Sequence, residues 1–363
     1  MSLRPIFLKI LVHLLNSTAL VTLAQAQELP ELASVQSGGA SISQDGSRFV
    51  IQQADPTLHL NWNSFNIGDG KSVEFRQPNE TSIALNSILS ESPSQIDGAL
   101  TANGKVFFSN PNGIVFGPNA RVDVGSLLAT THALGENADG SFALTSSGEG
   151  SVLNLGQLEG LNIALIGRNV RNDGQILSRN GTVNLFAGSD IDVAFDDAGL
   201  LHATIKAEDV LGTVENRGVI DAGEGTVRLQ ASASEAVVAS TIGGGASSAT
   251  QLVTQNGVLK LVRSTGKISA RTVSIKAGQR GGVQIGNSIS VANPNASGGV
   301  ITITGKDVTL LSGALLDASG ASSGGTLHVG GGWQGSGDLD QASFVTMEAG
   351  SRIDASALAR GNG

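Results

Sequence analysis

The chain has 363 residues and a formal net charge of −9, an acidic balance that argues against nucleic acid and anionic lipid as main partners. Its 49 glycines, 4% aromatics, 15% charged residues and lack of Tyr exclude the thick aromatic core of a conventional globular enzyme. The apolar content is Val, Ile, Leu and Ala set among Ser, Thr, Asn and Gly, which suits many short strands joined by tight turns, and with no cysteine there are no disulfides to staple them.

Residues 1–26 read as an export signal addressed to the general secretion machinery. Arg4 and Lys9 supply the positive region, and Ile10 to Leu23 is mostly apolar but broken by His13 and by Asn16, Ser17 and Thr18. That run is too short and too polar in its middle for a membrane anchor. Ala24-Gln25-Ala26 meets the small-x-small cleavage rule and places the mature start at Gln27. Cleavage removes two cations and no acid, which moves the net charge to −11. No later stretch is long and apolar enough to span a membrane.

Six of the eleven Phe residues lie from Phe49 to Phe116, together with Trp62. A stack of repeated units exposes an open edge and an apolar cross-section at its start, so residues 27–110 are expected to hold a large aromatic cap. Within this part Asn110-Pro111-Asn112-Gly113 has turn chemistry at every position and sits between Val106-Phe107-Phe108 and Ile114-Val115-Phe116. The Asn110 side chain is expected to bond the backbone two residues on, and Asn112-Gly113 to take left-handed or bridge angles.

Further along the chain repeats itself. Asn172-Asp173-Gly174-Gln175-Ile176 and Gly181-Thr182-Val183-Asn184-Leu185 return 44 residues later as Asn216-Arg217-Gly218-Val219-Ile220 and Gly225-Thr226-Val227-Arg228-Leu229. Asn154-Leu155-Gly156-Gln157-Leu158 is an earlier copy. A second phrase links Gly218-Val219-Ile220-Asp221-Ala222, Leu315-Leu316-Asp317-Ala318-Ser319 and Arg352-Ile353-Asp354-Ala355-Ser356. Alternation puts Val183 and Leu185 on one strand face. A unit this short cannot bury its own apolar face, but stacking in register buries a continuous aliphatic column, with corner glycines allowing positive φ. The predicted fold is all-β, a right-handed parallel β-helix with an N-terminal cap. A β-sandwich or barrel would account for the strands but not for the recurring phrases. Residues 195–212 and 231–262 fit the pattern poorly and are expected to leave the shaft. The chain stops at Gly363 as another rung begins, so the natural product is expected to be longer or the frame truncated.

Residues 59–131 carry a family resemblance in a fixed order of words. Phe65-Asn66-Ile67-Gly68 and Val73-Glu74-Phe75-Arg76-Gln77-Pro78, with Asn79 next, lead into Ile83-Ala84-Leu85-Asn86, Ile96-Asp97-Gly98 and Ala102-Asn103-Gly104-Lys105-Val106-Phe107. Asn110-Pro111-Asn112-Gly113-Ile114, Phe116-Gly117 and Ala129-Thr130-Thr131 follow. This resembles the N-terminal secretion domain of two-partner secretion exoproteins, the filamentous haemagglutinin family. The Gln-Pro motif before Ile-Ala-Leu-Asn is similar to the branch with high-molecular-weight adhesins and haemopexin-binding proteins. Two departures stand out: Ser87 follows Asn86 where that branch usually has Arg, and Gln77-Pro78-Asn79 stands where the haemagglutinin branch has a second Asn-Pro-Asn-Leu motif.

The resemblance implies a secretion domain over 27–230 and continuing repeats over 231–363. It implies an Omp85-type outer-membrane barrel transporter whose periplasmic transport domains recognise the chain. It also implies a secreted or surface location on a Gram-negative bacterium, reached through the periplasm, and a role for Asn110–Ile114, Gln77–Asn79 and Asn86 in secretion. An adhesin acting on a host or cell-surface receptor is the leading expectation. A haem or haemopexin scavenger, the stalk of a contact-dependent toxin and a β-helical polysaccharide lyase are the rivals.

Parallel β-helices do host lyases, so fold alone decides nothing. Asp190, Asp192, Asp196 and Asp197 form the best carboxylate cluster, suited to acid–base work or Ca²⁺, yet the five His residues are scattered and no Arg or Lys motif accompanies the acids. A solvated face is the better reading, with no enzyme activity, metal or cofactor expected. Asn79-Glu80-Thr81, Asn180-Gly181-Thr182 and Asn295-Ala296-Ser297 match the glycosylation triplet, which recurs by chance in so Asn-, Ser- and Thr-rich a chain.

Overall fold

The computed structural model describes residues 28–136, 142–188, 190–195, 201–207, 212–231, 253–359 and 361. The expected signal and its cleavage residues Ala24, Ala26 and Gln27 lie outside them. The described residues form a parallel β-helix whose path visits three faces in turn. The first face runs from Arg48–Gln53 through Ser72–Arg76 and Ala99–Ala102 to Leu315–Asp317 and Arg352–Asp354. The second runs from Thr57–Ser64 through Ile83–Ile88, Lys105–Ser109 and Ser126–Thr130 to Thr326–Val329. The third runs from Ser94–Ile96 through Ile114–Phe116 and Ser151–Asn154 to Phe344–Met347. The strands Gln157–Gly167 and Gln175–Ala187 turn the corner between the first two faces without a break, so those faces join in one 21-stranded sheet.

Register explains the recurring phrases. Val183, Val227, Val273 and Ile301 stack in one interior column, with Leu185, Leu229, Ile275 and Ile303 beside them, all fully buried. Each such side chain contributes about 1.5–3 kcal/mol when removed from water. Ile220, Ile268, Ile289, Leu316 and Ile353 form the matching column on the first face.

The Asn-x-Gly phrase has two separate causes. Asn154, Asn172 and Asn216 point into the shaft and pass hydrogen bonds along it: Asn154 Nδ2 donates to Asn172 Oδ1 at 2.8 Å, and Asn172 Nδ2 to Asn216 Oδ1 at 2.8 Å. Asn216 Nδ2 closes the run on Ser264 Oγ at 3.4 Å. The glycines at 174 and 218 are required by space rather than by positive φ. A Cβ on Gly174 would lie 2.2 Å from the Gly156 carbonyl, and one on Gly218 2.0 Å from the Gly174 carbonyl. Among the described residues, positive φ occurs at turns such as Gly46 and Gly223, and within a strand at Asn180, at the corner of Gln175–Ala187.

The cap is smaller than expected and not aromatic. Glu31–Ser37 pairs antiparallel with Thr57–Ser64, and Ala40–Asp45 folds back antiparallel on Arg48–Gln53, so the leading edges of the first two faces are covered. The aromatics instead fill the first rungs: Trp62 meets Phe49 and Phe65 edge-on at 6.0 and 5.1 Å, and Phe65 meets Phe108 at 4.7 Å.

A four-stranded antiparallel sheet leaves the shaft: His132–Glu136, Phe142–Ser147, Asp190–Phe195 and Leu201–Ala207. It covers the outer side of the second face, where Leu85, Phe107, Leu128 and Phe186 pack with Leu144, Ile191 and Val193 in a second core. The departure expected over 195–212 is real at 201–207, but Thr213–Asn216 is already back on the third face. The departure expected over 231–262 is narrower, because Val258–Ser264 pairs with the third face. Residues 232–252 lie outside the described residues.

Candidate functional site

Asn110 to Ile114 link the second face to the third. The strand Lys105–Ser109 is followed directly by Asn110, which is fully buried. Pro111 sets the second turn position, and the Gly113 N–H donates to the Asn110 carbonyl at 3.0 Å. As expected, Asn110 Oδ1 accepts the Asn112 N–H, at 3.0 Å. Its Nδ2 donates to the Ser92 carbonyl and to Ser94 Oγ, both at 3.1 Å, on the preceding rung. Asn112 Nδ2 donates to the Ser90 carbonyl at 2.8 Å. The left-handed angle expected at Asn112-Gly113 falls on Gly113 alone, at φ 117°. The following rung presses on the turn. Gly150 N–H donates to the Pro111 carbonyl at 3.0 Å, and a Cβ on Gly148 would lie 2.1 Å from that oxygen. Ile114 is buried in register with Ser94 and Val152. The turn is therefore held by the rungs on both sides, with Pro111 and Asn112 exposed.

Gln77, Pro78 and Asn79 form the corner between Ser72–Arg76 and Ile83–Ile88. The Gln77 side chain is buried and joins three rungs. Its Nε2 donates to Gln53 Oε1 at 3.1 Å, to the Ser82 carbonyl at 3.0 Å and to the Lys105 carbonyl at 3.2 Å, while its Oε1 accepts the Gly104 N–H at 2.9 Å. Pro78 is exposed, and Asn79 Oδ1 closes the turn by accepting the N–H groups of Thr81 and Ser82 at 2.9 and 3.1 Å. Nearby, bonds from Arg76 and Arg48 hold the Glu74 carboxyl below its ordinary value. Asn86, also buried, accepts the Trp62 indole N–H at 2.9 Å and donates to the Phe107 carbonyl at 3.2 Å.

These three groups meet on one strand. Gln77 bonds Lys105, Asn86 bonds Phe107, and Asn110 directly follows Ser109. Sequence reasoning missed Gln53, Trp62 as the partner of Asn86, and Ser94. Ser87, at the position of the family departure, pairs with His59 Nε2 at 2.8 Å.

Asp190 and Asp192 share the strand Asp190–Phe195, but their side chains, and Asp196 and Asp197 altogether, lie outside the described residues. A surface groove of about 470 Å³ between Ile67, Asp97 and Pro118 gathers Glu28, Asp69 and Asp97, but Asp97 is taken up by the Asn119 N–H at 3.0 Å.

A family model described as TPS secretion domain matches residues 26–275. A heme/hemopexin-binding protein of Haemophilus influenzae (strain ATCC 51907 / DSM 11121 / KW20 / Rd) is 36% identical over 222 residues, which cover 58% of this chain and 24% of the relative. Another Haemophilus influenzae heme/hemopexin-binding protein is 45% identical over 87 residues, which cover 24% of this chain and 9% of the relative. The chain thus spans a minor part of the length of both relatives. The crystal structure of the HMW1 secretion domain from Haemophilus influenzae matches with a TM-score of 0.75 at 28% identity, over 90% of this chain and 84% of that one.

Proposed function

The chain belongs to the TPS secretion domain family, the secreted exoproteins of two-partner secretion, and on that premise we propose that it is an adhesin exported by a dedicated outer-membrane transporter. The observation that carries the export reading is the convergence of Gln77, Asn86 and Asn110 on the strand Lys105–Ser109, within the first rungs to form. The general secretion machinery delivers the chain to the periplasm, with cleavage after Ala26. The transporter is an Omp85-type barrel, and its periplasmic transport domains pair with extended segments of the unfolded chain by adding strands. Residues 27–230 serve secretion, and the strands from Val258–Ser264 onward continue the shaft. Outside the cell the capped first rungs fold, and the later part of the shaft builds on their edge.

Burial divides the motif residues by role. Gln77, Asn86 and Asn110 are enclosed in the folded shaft, so they act through its folding or are read before it. Pro78, Asn79, Pro111 and Asn112 remain at the surface. The protein acts by binding rather than catalysis, on a host or cell-surface receptor. The haem-scavenging reading is favoured by the two curated relatives, whose names give haem and hemopexin as their ligands. Mature protein should bind saturably to cultured host cells and pass through a haem–agarose column. Retention on haem without cell binding would reverse that choice.

A further inference from the structure

Lys260 and Asp307 are both fully enclosed and paired with each other, 47 residues apart. Register places Gly282 between them, so the lysine side chain crosses a whole rung to reach its partner. A Cβ on Gly282 would lie 2.8 Å from Lys260 Cδ, so glycine keeps that passage open. The rest of the network is closed by one hairpin, in which Thr254–Gln255 pairs antiparallel with Val258 and Leu259. Its turn residues Asn256 and Gly257 have φ 52° and 72°. Asn256 Nδ2 donates to Asp307 Oδ2 at 2.7 Å, and Lys260 Nζ also donates to Thr309 Oγ1 at 3.0 Å.

We propose that this clamp makes residues 253–310 fold as one block, so that the rung of Lys260 is completed only when the strand Asp307–Leu310 docks. A buried ammonium without its carboxylate is strongly unfavourable, whereas removing both charges together is tolerated far better. In chain order Lys260 precedes its counter-charge by two rungs, so addition of single rungs leaves the charge unpaired at each step between them. The family match ends at residue 275, inside this block, with Lys260 within it and Asp307 beyond it. The folding unit therefore extends past the family boundary, and this conclusion stands independently of the secretion reading.

Hydrogen exchange on the mature chain tests the clamp. In Asp307→Ala, exchange in Val258–Ser264, Gly282–Ile285 and Asp307–Leu310 should accelerate together by roughly tenfold or more, while strands up to Val219–Asp221 keep their protection. Gly282→Ala, which blocks the passage and leaves both charges in place, should loosen the same three strands. Lys260→Met/Asp307→Leu should restore most of the protection. Acceleration confined to Asp307–Leu310, or a double variant as loose as Asp307→Ala, would overturn the proposal. So would unfolding of the whole shaft in both single variants, because the block would not then be local.

Discussion

Secretion of an Asn110→Ala/Asn112→Ala variant should fall by roughly tenfold or more, a factor that one or two kcal/mol in the first rungs is enough to produce. Asn110 is fully buried and makes three side-chain bonds: one closes its own turn and two reach the preceding rung at Ser92 and Ser94. Alanine at 110 leaves those partners unmatched, and alanine at 112 removes the bond to the Ser90 carbonyl. Together the losses amount to about 2–4 kcal/mol. The damage is local, because the lost side-chain bonds reach only Ser90, Ser92, Ser94 and the turn itself, and the aliphatic columns from Ile176 onward lie further along the shaft. The purified variant should therefore keep its β-sheet circular dichroism while failing to reach the medium. Asn295→Ala, on an exposed loop, is the matched control. Secretion of the double variant at the control level, with periplasm and medium assayed separately, would show that the motif is only a turn.

Asn172→Val should destabilise the mature protein by about 2–4 kcal/mol, since it strands a buried donor on Asn154 and a buried acceptor on Asn216 at once. Replacing Asn154, Asn172 and Asn216 together by Val should cost less than three times that amount. The stacked amides satisfy one another within the run, so the triple variant strands partners only at its two ends, the Gly156 N–H and Ser264 Oγ. Urea midpoints of the single and triple variants measure the difference. Additive losses would mean that the amides act separately rather than as a chain.

Much of the shaft is legible in the sequence. Val183 and Leu185 occupy the inward positions that alternation assigns, and the phrases around Ile220, Leu316 and Ile353 lie in one column. Periodicity reports that a residue recurs but not what it touches, so the recurring Asn carries no sign in the sequence of the interior amide stack that it forms. The external sheet left a signal that was available: Leu127, Leu128 and Ala129 are consecutive and apolar, which implies burial on both sides of a strand. Composition locates the aromatic residues along the chain but not inside or outside a rung, so it does not distinguish a cap from the filled first rungs. Asn110, Gln77 and Asn86 stand in motifs that the sequence shows, but their shared strand emerges only from register. Lys260 and Asp307 carry no local pattern, because their relation depends on three rungs folding in register.

The most direct measurement expresses the full chain with and without its cognate outer-membrane transporter and assays medium and periplasm separately. The account requires protein in the medium only when the transporter is present, beginning at Gln27, with unfolded, protease-sensitive chain left in the periplasm when it is absent. Equal release without the transporter, or released protein that retains residues 1–26, would contradict it.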